Sequence, residues 1–346
     1  MNCRTVMLFI VLTLTVSALQ ASDKTLLEVP VGISPVMSSA AMFIAQEKGY
    51  FAEQGIKVVI NPFQASGAKM VPFLATGQLL VAGGNVNAGM YNAIANDIPI
   101  RIVSDKGTVT PGHGYLALLV RKDHVDSGRY KSFADLKGMK MAVTAKGVSQ
   151  EIVTEMYLQK AGLSLSDIKL VNLAYADINI ALANKAIDAS VQIEPHVAAA
   201  VANKIAVRVA GDDEIYPNQQ SAVIYYSPVF MEKYPEQASG FMRAYVKGLR
   251  DYNDAFEKGL GKDEVIAILV KHTKMKDERI YREVVPVGLN PDGMVNMLSL
   301  KQDASWYHAR GYVKQLPDID TIVDLSYARQ AVRELGPYRY VKQEAE

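Results

Sequence analysis

The sequence has a single cysteine in 346 residues, Cys3, and it lies close to the amino terminus. Removal of a short amino-terminal segment would leave a chain without a disulfide, a thiolate nucleophile or a cysteine-ligated metal. Beyond the first 22 residues, no segment is continuously apolar over the roughly 18 residues that a membrane-spanning helix needs. These two absences predict a soluble protein that does not use thiol chemistry.

The sequence also lacks an excess of charge of either sign. The 37 Lys and Arg residues balance 36 Asp and Glu residues, which gives a formal net charge of +1. Since there is no dense Lys/Arg stripe and no aromatic platform, we expect no nucleic-acid partner.

Motifs of catalysis and metal binding are absent as well. The sequence contains neither Gly-x-Ser-x-Gly nor His-Glu-x-x-His, and its glycine-rich stretch VAGGN lacks the Lys-Ser/Thr of a phosphate loop. None of the histidines has a partner at metal-ligand spacing; they are His113, His124, His196, His272 and His308. We therefore expect no enzyme activity, no metal and no cofactor.

The amino terminus carries a positive charge followed by an apolar run. Arg4 precedes the uncharged segment Val6–Leu19, and small and polar residues including Ala21 follow it. A basic start, a short apolar core and a small-residue exit are typical of a secretory signal peptide. We predict a signal peptide over residues 1–21; its retention as a membrane anchor is the alternative. Because Cys3 lies before the apolar run, we expect no lipid anchor.

The order of predicted elements repeats at an offset of about 110 residues. LEVPVGI is matched by MKMAVT, the strand IKVVI by IKLVN, and FLATGQLLVAG by IALANKAIDAS. The same order of strands and helices twice predicts two similar α/β lobes with mostly parallel sheets. Two further strands, Tyr115–Val120 and Ala222–Ser227, are predicted to cross between the lobes. Lobe one then comprises about 23–113 and 227–346, and lobe two about 114–226.

Several helices and one loop are predicted from local signals. Ser38 or Ser39 caps a helix that ends near Lys48, with Gly49 as its stop. A strand at Ile100–Val103 precedes the Gly/Pro-rich loop DKGTVTPGHG. Helical patterns after the second lobe cover Pro235–Lys258, Lys262–His272, Pro291–Arg310 and Ile319–Leu335.

Small polar residues recur where a predicted strand passes into a helix. These turns are Ser34–Ser39, Ala65–Lys69, Gly84–Ala88 and Thr144–Gln150. Helix N-termini present free N–H groups and partial positive charge, and α/β sheets bind ligands at the carboxyl ends of their strands. Several such turns at one crevice predict a site for an anion or a polar acceptor group. The candidate ligand-binding residues are Ser34, Ser38, Ser39, Ser66, Asn85, Asn87, Thr110, His113, Thr144, Gly147, Ser149, Glu194 and Tyr226.

Seven blocks carry a family resemblance over about residues 25–330. They are GISPVMSSAAMFIAQEKGYFAEQGIKV, LATGQLL, NDIPIRIVSD, FADLKGMKMAV, YLQKAGLSLSDIKLVNL, IALANKAIDASVQIEP and WYHARGYVK. They resemble the periplasmic substrate-binding proteins of ABC importers, within the group of nitrate, sulfonate, taurine and thiamine-pyrimidine binders. The resemblance implies a type II-like two-lobed fold that closes over a small molecule. It also implies a periplasmic location and delivery of the ligand to an ABC permease in the membrane. We expect a monomer.

Two positions depart from the family pattern Gly-x-Ile/Val-Asp. Leu80 stands where Asp is usual in the first lobe, and Lys185 stands where Gly is usual in the second. These departures indicate a divergent branch of the family, which weakens any inference of the ligand from its relatives. An enzyme on the same scaffold, of the thiamine-pyrimidine or menaquinone pathway type, and a sensory module are the alternative functions. The chain lacks the cysteine-rich motif of the pyrimidine-forming relatives, and the predicted export signal disfavours a biosynthetic role.

The class of ligand stays open at this point. The polar turns favour a carboxylate, a sulfonate or a similar anion, whereas tyrosines could instead line a slot for a planar ring; these are Tyr91, Tyr115, Tyr225 and Tyr226. Glu194 follows the predicted strand Ala189–Ile193. If it faces the cleft, it favours a ligand with an amine, such as taurine or an aminopyrimidine; if it turns away, it caps the following helix.

Overall fold

The structure is a computed structural model that describes residues 26–63 and 67–339. Ten strands occur in this part of the chain. They are β1 (Leu27–Ile33), β2 (Ile56–Pro62), β3 (Val81–Asn85), β4 (Arg101–Thr108), β5 (Leu116–Arg121), β6 (Lys140–Val143), β7 (Lys169–Asn172), β8 (Ala189–Ile193), β9 (Ala206–Gly211) and β10 (Gln220–Tyr226).

The α-helices of the same residues surround these strands. They are α1 (Ala40–Glu47), α2 (Val71–Ala75), α3 (Ala88–Ala95), α4 (Lys122–Asp126), α5 (Ser149–Gln159), α6 (Tyr175–Ala183), α7 (His196–Ala202), α8 (Pro228–Lys233), α9 (Pro235–Glu257), α10 (Lys262–His272), α11 (Glu278–Glu283), α12 (Met297–Ala309), α13 (Ile319–Ile322) and α14 (Ser326–Leu335). Short 3-10 turns lie at Met37–Ser39, Ala52–Gln54, Gly67–Met70, Phe133–Leu136, Leu165–Asp167 and Asp212–Glu214.

The strands form two five-stranded sheets with the same topology. The first has the order β2-β1-β3-β10-β4 and the second the order β7-β6-β8-β5-β9. In each sheet four strands run in one direction, and the fifth, β10 or β5, is antiparallel to both of its neighbours. The predicted two-lobed α/β fold with mostly parallel strands is therefore confirmed.

Burial follows the position of a strand in its sheet. In the edge strand β2, Ile56 and Val58 are buried while Lys57 and Val59 are exposed, which is the alternation of a half-buried strand. All seven residues of the inner strand β10 are buried. Inner strands are covered by helices on both faces, so their sequences read as continuous apolar runs.

The chain passes between the two sheets twice. Residues 109–115 connect β4 to β5, and residues 212–219 connect β9 to β10. The backbones of the two passages pair with each other, since Val109 N donates to Gln219 O (2.9 Å) and Asn218 N donates to Val109 O (2.5 Å). Each passage leads into one of the two strands that were predicted to cross. Strand β10, which the predicted boundaries assign to lobe two, pairs with β3 and β4 of the first sheet.

The helix after the first strand differs from its prediction in one respect. α1 spans Ala40–Glu47 and Gly49 follows it with a φ of 74°, as expected of a helix stop. Ser39 occupies the N-cap position, but its side chain makes no capping bond. The prediction that Ser38 or Ser39 caps α1 is thus wrong, because both hydroxyls are engaged elsewhere.

The carboxyl-terminal helices are partly as predicted. α9 and α10 lie where the helical patterns indicate, but α12 begins only at Met297. The pattern Ile319–Leu335 is broken into α13 and α14 because Val323 pairs with Ile102 of β4. None of the helices in residues 26–63 and 67–339 is both long and apolar enough to cross a membrane. The predicted signal peptide lies outside the described residues.

Candidate ligand-binding cleft

A narrow gap lies between the two lobes at the carboxyl ends of their strands. Lobe one contributes the residues after β1 and β2, and lobe two contributes the first residues of α6 and α7. The lining residues are Ser34, Pro35, Val36, Phe63, Tyr175, Ala176, His196 and Lys274. The gap has a volume of only about 10 Å³, which is close to the smallest space that holds one water molecule. The lobes are therefore closed on each other.

The loop after β1 is held by buried side-chain hydrogen bonds. Ser39 Oγ donates to the carbonyl of Ser34 at 2.7 Å, and Ser38 Oγ accepts from Lys106 Nζ at 2.8 Å. All three serines are buried. The hydroxyls of Ser38 and Ser39 lie in the turn that leads into α1, where the helix dipole is positive.

Lys106 is a buried cation without a carboxylate partner. It is 2% exposed, and within the described part of the chain it forms no ion pair. The neighbouring Asp105 is engaged with other groups. Its carboxylate accepts hydrogen bonds from Gln220 Nε2 (2.6 Å) and Asn290 N (2.7 Å). Burial lowers the pKa of Lys106 from 10.5 to about 7.

The lysine reaches Ser38 across the sheet because one residue beneath it is glycine. A Cβ atom on Gly83 of β3 would lie 2.8 Å from Cδ of Lys106, closer than carbon atoms approach. Gly83, in the stretch VAGGN, thus gives the lysine stem its path from β4 to α1. A buried ammonium group and a positive helix end lie together here, and this arrangement favours an anion.

A second polar group lies where the lobes meet. Asn85 Nδ2 lies 3.4 Å from both Ser149 Oγ and Tyr175 Oη of lobe two. Ser149 Oγ also donates to the carbonyl of Ser221 at 3.2 Å. Two of the predicted site residues, Asn85 and Ser149, therefore come together across the cleft, and Tyr175 joins them although the sequence did not single it out.

The other predicted turn residues of this region have structural partners. Asn87 Oδ1 accepts from Met90 N at 2.9 Å and so caps α3. Thr144 Oγ1 donates to Gln150 Oε1 at 2.5 Å. Gly147, with a φ of 69°, accepts at its carbonyl from Ala88 N (2.9 Å), which is a backbone bond between the lobes. The polar groups of these residues are thus engaged within the protein.

Glu194 is buried at the boundary of the lobes. Its carboxylate accepts from Ala198 N (3.0 Å) in lobe two and from Val285 N (3.2 Å) in lobe one, and its carbonyl accepts from Met37 N (3.2 Å). Burial raises the pKa of Glu194 from 4.5 to about 7. The side chain bonds within α7, as the second sequence alternative predicts, and in addition it bonds to the other lobe.

Among the described residues, Ser34 is the one predicted site residue that lines the gap itself. Thr110 and His113 line a separate cavity of about 390 Å³ beside the passages between the sheets, where His113 Nε2 lies 3.5 Å from Glu257 Oε1. Tyr226 lies in the core and donates to the carbonyl of Ala238 at 2.9 Å. Ser66 is outside the described residues.

The position of Tyr226 follows from strand direction. β10 is antiparallel to its neighbours, so its carboxyl end lies against Val81 and Arg101, at the amino-terminal ends of β3 and β4. This is the end of the sheet away from the cleft. The expectation that Tyr226 faces the ligand is corrected on this ground.

Lys106 is the functional candidate that the sequence did not reveal. The sequence predicts a strand that ends at Val103 and a loop that begins at Asp105, whereas β4 continues to Thr108. Two charged residues beside Gly107 resemble a loop in composition, but here both charges are buried. The pairing of β4 with β10 is irregular between Ile102 and Gly107, so simple alternation along the strand does not reveal that Lys106 reaches Ser38.

Solved structures share this two-lobed architecture. The ligand-binding component of an ABC-type import system from Staphylococcus aureus, solved with zinc bound, has a TM-score of 0.73 at 13% identity, over 88% of this chain and 99% of that chain. The alkanesulfonate-binding protein from Xanthomonas axonopodis pv. citri, bound to MOPS, has a TM-score of 0.69 at 17% identity, over 86% and 98%. The periplasmic nitrate-binding protein from Synechocystis PCC 6803 has a TM-score of 0.71 at 14% identity, over 90% and 89%.

These likenesses define the class of the fold, that of the periplasmic binding proteins, and the resemblance found in the sequence is confirmed. Residues 22–257 match the NMT1-like family, and the chain belongs to this family. No curated protein is a significant match in sequence. Among the residues described, no three His, Cys, Asp or Glu side chains are grouped so that they could hold a metal ion.

Proposed function

We propose that the protein captures a small anionic organic solute outside the cytoplasm and delivers it to an ABC permease. The observation that carries the anionic character is Lys106, a buried cation at the amino-terminal end of α1 with a serine hydroxyl as its partner. A cation and a positive helix end repel each other, and an anion between them would relieve this repulsion. A sulfonate or a carboxylate is the chemical class that fits.

The amine-bearing ligands have less support. An ionised Glu194 that faces the cleft is the feature that would recognise the amine of such a ligand. Both oxygens of this carboxylate accept backbone N–H groups, and its pKa is raised to about 7. A Glu194 that is already satisfied offers little to a ligand amine, so we rank taurine-like and aminopyrimidine-like ligands below simple anions.

Export, lobe boundaries and oligomeric state belong to the same proposal. We infer a cleaved signal peptide over residues 1–21, a periplasmic location without a lipid anchor, a monomer without enzyme activity, and a boundary between the lobes within the passages 109–115 and 212–219. The likeness to import-system components supports the location and the permease partner. Amino-terminal sequencing of the exported protein should give a start near Ser22, and a start at Met1 would contradict the export model.

The ligand class is tested by native mass spectrometry of protein purified from cells, followed by calorimetric titration with methanesulfonate, nitrate, taurine and an aminopyrimidine. We expect a retained or titrated anion. Lys106→Met should weaken its binding by roughly 2 kcal/mol, as for a hydrogen bond to a charged group. Lys57→Met removes an exposed lysine of lobe one and is the matched control. If Lys106→Met binds the anion as tightly as the wild type, the proposed anion site is wrong.

A further inference from the structure

Helix α5 of lobe two carries two buried carboxylates, one turn apart, whose side-chain partners come from lobe one. Glu155 Oε2 accepts from Trp306 Nε1 at 2.7 Å, and its other oxygen contacts the guanidinium of Arg310. Glu151 Oε1 accepts from the hydroxyl of Tyr312 at 2.9 Å. Glu151 and Glu155 are only 1% and 2% exposed. We call these five residues the α5 latch.

Both halves of the latch are fixed within their own lobes. On the lobe-two side, Gly147 N donates to Glu151 Oε2 at 2.6 Å, which orients the carboxylate. On the lobe-one side, Asn92 Nδ2 donates to the carbonyl of Tyr312 at 2.7 Å, and the Arg310 guanidinium lies 4.8 Å from the ring centre of Trp306. Preorganised donors and acceptors lose little side-chain entropy when the lobes meet.

Apolar packing joins the same helix to lobe one. Ile152, which lies between the two glutamates, is 1% exposed and belongs to a hydrophobic cluster whose other buried members all lie in lobe one. Tyr91, Leu300 and Tyr307 are among them. Opening of the lobes would therefore expose apolar surface as well as break the charged contacts, and both changes cost free energy.

We propose that the α5 latch holds the two lobes closed without any help from a ligand. The contacts of the latch involve only side chains of the protein, and none of its five residues lines the gap at Ser34 and His196. Closure thus has a contribution that is independent of the ligand. A solute must then bind to the minor, open population. Its apparent affinity is the affinity of the open form multiplied by the fraction of molecules that are open.

This inference deepens the proposed solute-binding role, but its test does not depend on the identity of the ligand. Spin labels on Lys57→Cys of β2 and Lys169→Cys of β7, with Cys3 replaced by serine, report the distance between the lobes. Both positions are exposed and lie on the sheet edges farthest from the passages between the lobes. The full chain is unfolded in guanidinium and refolded to remove bound molecules. The distance between the labels is then measured by pulsed double electron–electron resonance.

The variant Trp306→Phe/Tyr312→Phe removes both hydrogen-bond donors and keeps an aromatic ring at each position. We expect the wild type to show mainly the short, closed distance, and the double variant to shift the closed-to-open ratio by roughly tenfold or more. Glu155→Gln should shift it in the same direction, and it serves as a second variant if the double variant folds poorly. Tyr50→Phe is the matched control, since it removes a tyrosine hydroxyl bonded to Asp251 within lobe one.

Two results would overturn the proposal. One is a wild type that shows only the long distance when no ligand is bound. The other is a folded double variant, or Glu155→Gln, with the same distance distribution as the wild type. Either result leaves the proposed binding of an anion at Lys106 untouched, and a failure of Lys106→Met to weaken anion binding leaves the latch untouched. The two proposals therefore fail separately.

Discussion

The ammonium nitrogen of Lys106 lies 2.8 Å from the hydroxyl oxygen of Ser38, although the two residues are 68 positions apart in the sequence. The contact connects β4, at one edge of the first sheet, with the turn that leads into α1. It brings a cation to the positive end of a helix and buries it there. Burial of a cation at the positive end of a helix costs free energy in the protein without ligand. A bound anion would offset this cost, which gives the arrangement a reason.

Lys106 should make stability depend on pH above neutrality. Its pKa is about 7 in the folded protein and 10.5 for an ordinary lysine, so between these values the unfolded chain binds a proton that the folded chain does not. Stability then rises with pH in this window. We expect the wild type to gain roughly 2 kcal/mol relative to Lys106→Met between pH 7 and 9.

Guanidinium unfolding of both proteins at a series of pH values measures this difference. Lys57→Met controls for the loss of a lysine. A constant difference between the wild type and Lys106→Met from pH 7 to 9 would show that Lys106 stays charged in the fold.

Glu194 should produce the opposite dependence at lower pH. Burial raises its pKa from 4.5 to about 7, so the folded protein holds a proton in this window that the unfolded chain has released. The stability that Glu194 contributes is fully present below pH 4.5 and is lost as the pH rises through 7. Relative to Glu194→Gln, the wild type should lose roughly 3 kcal/mol between pH 4.5 and 7. Urea unfolding at these two pH values is the measurement.

The same variant discriminates between ligand classes. Because both oxygens of Glu194 are occupied by Ala198 N and Val285 N, Glu194→Gln should weaken an anion such as methanesulfonate and an amine such as taurine to the same extent. The common cause would be a weaker contact between the lobes. A loss confined to the amine ligand would instead return Glu194 to the role of a ligand contact.

The fold was predictable because its signals are local and repeated. The strand-helix-strand order occurs twice at nearly constant spacing, and the two sheets have the same topology. The predicted strand Ala189–Ile193 matches β8, and α10 has the bounds that the helical pattern indicates. Helix stops such as Gly49 depend on neighbouring residues alone.

The site was less predictable because its contacts connect distant parts of the chain. The partner of Ser38 is a lysine on β4, and the partners of Glu151 and Glu155 lie about 150 residues further along. Composition misled the assignment of Lys106, since charged residues beside Gly107 resemble a loop. Strand direction misled the assignment of Tyr226, because an inserted antiparallel strand reverses which end faces the cleft.

Ser149 should matter for binding through the contact between the lobes. Its hydroxyl donates to the carbonyl of Ser221 at 3.2 Å and lies 3.4 Å from Asn85 Nδ2. Ser149→Ala should weaken ligand affinity by ~1 kcal/mol, as expected for one neutral hydrogen bond, and Ser34→Ala at the facing turn is expected to do the same. Ser305→Ala, which removes an exposed hydroxyl bonded within α12, is the control. Full affinity in both cleft variants would remove the polar turns from the site.

Tyr226→Phe provides the opposite case, a predicted site residue that should affect only stability. The hydroxyl of Tyr226 is buried and donates to the carbonyl of Ala238 at 2.9 Å, while its ring packs edge-on against Phe230 and Phe241. Phenylalanine keeps the ring contacts and removes one buried hydrogen bond, so the free energy of unfolding should fall by ~1 kcal/mol. Ligand affinity should not change, because the residue lies at the end of β10 remote from the cleft. Denaturant unfolding and calorimetric titration of the same preparation measure both quantities, and a loss of affinity with unchanged stability would place Tyr226 at the ligand after all.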